Sequence, residues 1–142
     1  MKKEDIVVAK EVAEEAFEEW CDANGFESDE EDLSEDELLS FKINKKTIVK
    51  AIMAGRAVTD DEKITYTISN HSPEGFAGMK LEINAPTGRF WTAMDGFKSQ
   101  DTQKKIISCM SELTGKDRKF FEKIHGFDFR FLQAVVIFFM NI

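Results

Sequence analysis

The chain has 142 residues, 42% of them apolar, and a net charge of −8. That length fits one domain, residues 1–142, able to bury about 70% of its extended surface. Abundant Phe (13) and scarce Pro (2) exclude a mostly linker-like chain.

The charge is divided. Residues 1–40 hold sixteen acidic residues and three lysines, a balance of −13, while residues 41–142 balance at +5. An acidic appendage on a mildly basic body is expected. Within it, Ile6, Ala9, Ala13, Phe17 and Trp20 recur at three- and four-residue steps. This predicts an acidic amphipathic helix within 1–26, ended by Asn24-Gly25. Residues 27–36 are too acidic to bury and are expected to form a mobile loop. An α+β body is expected over 37–142.

Ser34-Glu35-Asp36-Glu37 fits a capping box ahead of a short helix through Leu38, Leu39 and Phe41. Asn44 is expected to cap a further helix through Ile48, Val49, Ile52 and Met53, closed by Gly55. The period then changes from 3.6 to 2. Ala57-Val58-Thr59, Ile64–Ile68 and Met79–Ile83 read as three short strands, joined by a tight turn at Asp60-Asp61-Glu62 and a looser loop over Asn70–Gly75. The expected fold is α+β: a small three-stranded antiparallel sheet covered by the N-terminal amphipathic helix and a C-terminal cluster of short helices.

After Pro86 four helices are expected. The first bears Phe90, Trp91, Met94 and Phe97. The second is capped by Asp101 and ends at Leu113-Thr114-Gly115. The third runs from Asp117 through Phe120, Phe121 and Ile124. The last is capped by Asp128 and carries Phe129, Phe131, Leu132, Val135, Val136, Phe138 and Phe139. Apolar residues on more than half its circumference make it either central to the core or partly committed to a partner.

Nothing in the sequence assembles a catalytic, cofactor-binding or metal-binding constellation. His71 and His125 lack the spacing of a metal-ligand pair, and His125 near a helix end reads as favourable charge placement. Gly75-Phe76-Ala77-Gly78 has no Lys-Ser/Thr after it, as a phosphate loop requires. Asp60-Asp61-Glu62 lacks EF-hand spacing. Cys21 and Cys109 are expected to be free buried thiols suited to a reducing cytoplasm. The opening Met-Lys-Lys-Glu-Asp lacks a signal-peptide core, and the apolar run Ala134–Met140 is far below the roughly 20 residues that span a bilayer. A non-enzymatic, cytoplasmic interaction protein without a membrane or nucleic-acid partner is expected.

Over Leu81–Met140 the chain resembles the small tail assembly chaperones of tailed bacteriophages and prophages. The features are Ala85-Pro86-Thr87 after an apolar strand, Met94-Asp95, Leu113-Thr114-Gly115, Asp128, and Leu132-Gln133-Ala134-Val135-Val136 with Phe138-Phe139. The resemblance implies transient binding to the tape-measure protein, a very long apolar helical chain kept soluble in the host cytoplasm during tail assembly. The partner-binding residues expected on that reading are Phe131, Phe138 and Phe139, at least one partly exposed, with Phe17 and Trp20 as the second place to look. Homo-oligomerisation is left open. A second reading is an acidic regulatory protein whose N-terminal part binds a basic or nucleic-acid-binding partner. Against it, only residues 1–40 are strongly acidic, and many of those carboxylates fall in the expected loop.

Overall fold

The computed structural model describes residues 6–26 and 33–140. Three strands, β1 (Ala57–Asp60), β2 (Lys63–Thr67) and β3 (Lys80–Ile83), form an antiparallel sheet in the order β1-β2-β3. Tyr66 lies opposite both Ala57 and Leu81, and Ile64 lies opposite Ile83. These five side chains are buried on one face, while Val58, Lys63, Lys80 and Glu82 stay exposed. The alternation in sequence is therefore the inside–outside alternation of the sheet. Asp61 takes a positive φ of 55° in the tight turn between β1 and β2, a conformation that Asp tolerates better than most residues.

Six helices complete the described residues: α1 (Lys10–Ala23), α2 (Glu35–Met53), α3 (Gly88–Thr92), α4 (Thr102–Thr114), α5 (Arg118–Lys123) and α6 (Gly126–Met140). The α+β architecture is as the periodicity predicts. Ser34 accepts from the Glu37 N–H and Asp117 accepts from the Lys119 N–H, so both act as N-caps. Gly115 closes α4 in the left-handed conformation.

Several local expectations are corrected. Ile6 lies ahead of α1, and the N–H groups of Val7 and Val8 donate to the Met53 carbonyl at 2.8 and 2.9 Å. The expected mobile loop lies largely outside the described residues, but Glu35 and Asp36 form the first turn of α2. Asn44 caps nothing. It sits inside a single continuous helix, and its amide donates to Ser40 Oγ at 3.3 Å, which satisfies a polar group that would otherwise compete with the backbone. The first C-terminal helix stops at Thr92, before Met94. Asp101 makes no side-chain bond into α4; its carboxylate accepts from the Lys98 N–H instead.

Helix α6 is the centre of the molecule. Phe138 and Phe139 meet α1, Phe131 meets β2, and further contacts run to α2 and α4. Burial on several sides accounts for its excess of apolar residues. No described helix is long and apolar enough to cross a membrane.

Cys21 and Cys109 are free and buried. Burial pushes the Cys21 thiol up to about 12, with Asp22 adding to the effect, and burial with Glu112 pushes Cys109 up to about 11. Neither is a nucleophile near neutral pH. A thiol reagent at about pH 8 is expected to label both only in denaturant; rapid stoichiometric labelling of the native protein would contradict this burial.

Candidate functional site

The five aromatic residues expected to bind a partner are all core. Phe17, Trp20, Phe131 and Phe139 are fully or almost fully buried, and Phe138 is only 6% exposed. The expectation that one of the three α6 rings stands partly exposed is overturned, and so is the second place to look on α1. The physical reason is that α1 docks on the body through these rings. Phe17 meets Phe138 edge-on at 5.6 Å, Trp20 lies 5.4 Å from Phe139, and Phe26 and Phe41 close the cluster against Phe138. The Trp20 indole N–H also donates to the Glu62 carbonyl at 3.1 Å, tying α1 to the β1–β2 turn. Phe131 stands apart from this cluster, stacked on Tyr66 at 4.2 Å with the rings 9° from parallel.

Asp128 is the main polar feature of the interior. It does not cap α6 but points into the core with 0% exposure. Its Oδ1 accepts from the Tyr66 hydroxyl (2.6 Å) and the Ser69 N–H (2.9 Å), and its Oδ2 accepts from the hydroxyls of Ser69 (2.9 Å) and Ser72 (2.6 Å). Arg56 donates to the Tyr66 oxygen at 3.0 Å and lies over the Phe127 ring at 4.6 Å. Burial pushes the Asp128 carboxyl up, but the bonds from Ser72, Tyr66 and Ser69 outweigh it and hold the group below the usual carboxylate range.

Ser72, Asp128 and His125 come together here, but their bonds are those of a latch. The Ser72 hydroxyl donates to Asp128 and accepts from the backbone N–H of His125 at 2.9 Å, while His125 Nδ1 accepts from the Phe127 N–H at 3.0 Å. His125 follows the α5 C-cap, Ile124, at a helix end as expected, and its ring also serves the start of α6. A nucleophile–base pair would need the imidazole on the hydroxyl. Among the described residues, no group of three or more His, Cys, Asp or Glu side chains could hold a metal ion.

Among the described residues Ile6, Val7, Val12, Val58 and Trp91 are exposed apolar side chains, and Leu39 and Ile43 form an exposed apolar pair one turn apart on α2. Leu39 is 61% exposed and Ile43 56%. They form one bank of a groove of about 430 Å³ between α2 and α6, with Ala134 and Ile137 on the other bank. The helices run antiparallel: Arg56, just past the end of α2, lies over Phe127, while Phe41 meets Phe138 at 5.5 Å. Asp36 therefore lies toward one end of the groove, and Thr47 with Arg130 toward the other. The groove thus has an apolar middle and charged ends. The sequence signal was available: Asp36, Leu39, Ile43, Lys46 and Lys50 follow 3,4,3,4 spacing, the seam period of a coiled coil.

Comparison of the chain with protein-family models, curated proteins and solved structures finds no match.

Proposed function

We propose that this protein is a binding protein of the phage tail assembly chaperone kind, which transiently holds the apolar stripe of a tape-measure-like helix and keeps it soluble. The observation that carries the reading is the α2–α6 groove, where Leu39 and Ile43 stand exposed beside Ile137. The partner's apolar residues at i, i+3, i+4 and i+7 would lie along this stripe. Further support comes from the order of elements over Leu81–Met140, a strand, a turn and four helices, which is the order on which the resemblance rests.

Co-expression with a tape-measure helix fragment tests it. The pair Leu39→Glu and Ile43→Glu is expected to weaken capture by about 2 kcal/mol or more, seen as loss of soluble fragment. Both side chains are exposed, so the stability of the isolated protein should change by less than about 1 kcal/mol. Undiminished capture by the double variant would remove the groove from the account.

One observation favours the second, regulatory reading. Glu11, Glu15, Glu18, Glu19 and Asp22 are exposed on α1, a docked helix rather than a loop. A basic partner held there would release in salt and would be lost on neutralising Glu15, Glu18 and Glu19, yet remain indifferent to Leu39 and Ile43.

A further inference from the structure

We infer that a second copy of this chain docks on the exposed face of α2, giving a two-fold symmetric dimer with the two α2 helices antiparallel. Asp36, Leu39, Ile43, Lys46 and Lys50 fall within an arc of roughly 80° at 100° per residue, and all five are exposed. The stripe is acidic at its start, apolar in its middle and basic at its end. Two such stripes repel or mismatch when parallel. Laid antiparallel about a two-fold axis near position 41, they match from Asp36 to Lys46. Leu39 of each copy then meets Ile43 of the other, and Asp36 of each meets Lys46 of the other. This is the self-complementarity that an isologous interface requires, with pairing set by charges flanking an apolar centre. Charge order thus favours a second copy over an unspecified apolar surface.

The face is the one assigned above to an apolar helical partner, so the two occupants exclude each other. The dimer does not depend on that assignment, and its test uses the protein alone, so failure of one leaves the other standing. The interface is small, and a weak, concentration-dependent dimer is expected.

Sedimentation equilibrium of the full chain from about 10 µM to about 1 mM covers the affinities of small interfaces. The wild-type protein is expected to dimerise in this range, and more weakly as salt rises. Asp36→Lys alone and Lys46→Asp alone each set like charges against one another at both ends of the dyad. Each is expected to weaken the dimer by about tenfold or more. An equimolar mixture of the two variants restores opposite charges at both ends and is expected to return to within about threefold of wild type. The doubly substituted chain should do the same. Unchanged circular dichroism of each variant separates loss of dimer from loss of fold. A protein monomeric throughout the range would overturn the proposal. So would single variants that dimerise like wild type, or a mixture no tighter than its components.

Discussion

Asp128→Ala is expected to destabilise the protein by about 3–5 kcal/mol, the cost of breaking a buried hydrogen-bonded charge network by removing one partner. The carboxylate accepts four bonds from β2 and the loop after it, and the substitution leaves the Tyr66 hydroxyl and the Ser69 N–H facing an apolar methyl group. It also unlatches that loop from α6, because Ser72 links Asp128 to the His125 backbone. Asp128→Asn keeps the shape and should cost less, since the serine hydroxyls can turn to accept from the new amide. Urea unfolding at neutral pH measures both.

The same group gives a pH dependence of known sign. Its folded pKa is depressed below its unfolded value. In the window between the two, the unfolded state binds more protons, so stability rises with pH there. The contribution is fully present above the unfolded value, about 3.9, and is lost as pH falls through the lower folded value. The wild-type urea midpoint should therefore fall more steeply than that of Asp128→Asn on acidification below about pH 4. Parallel pH profiles would show that the carboxylate is not the group responsible.

The second large effect is expected at the aromatic seam. Phe138→Ala removes a ring that touches Phe17, Trp20, Phe26 and Phe41, and should cost about 3–5 kcal/mol. Phe138→Glu places an unpaired carboxylate in that cluster and is expected to prevent stable folding altogether, since such a burial approaches the whole stability of a domain. A sharp, cooperative thermal transition retained by Phe138→Glu would mean that this ring is not core. Because the seam joins α1 to α6, the alanine variant should also expose the Trp20 indole, visible as red-shifted fluorescence.

The sheet was legible because its signal is local. Ile64, Tyr66, Leu81 and Ile83 alternate with polar residues, and each is buried as the pattern requires. Ser34, Asp117 and Gly115 were legible as helix boundaries for the same reason. Asn44 misled because its side chain suits a cap, whereas here Ser40 one turn earlier satisfies it inside the helix. The excess of Phe on α6 misled differently. Composition cannot say how many elements surround a helix, and α6 spends Phe131 on β2 and Phe138 and Phe139 on α1. The Asp128 network joins residues 56 to 62 positions apart, so no window of the chain contains it. A lone acid opening a helix of mean hydropathy as high as α6 was the available clue. The groove shares this non-local character: the α2 seam can be read from spacing, but its α6 bank depends on how the two helices pack.

The central claim is that the α2–α6 groove receives an apolar helix, and amide shift mapping tests it most directly. The isotope-labelled protein would be titrated with a synthetic amphipathic peptide bearing apolar residues at i, i+3, i+4 and i+7. Saturable perturbations are expected along α2 around Leu39 and Ile43 and along α6 around Ala134 and Ile137, and these should vanish in the Leu39→Glu, Ile43→Glu variant. Perturbations confined to the acidic face of α1, or none up to millimolar peptide, would contradict the claim.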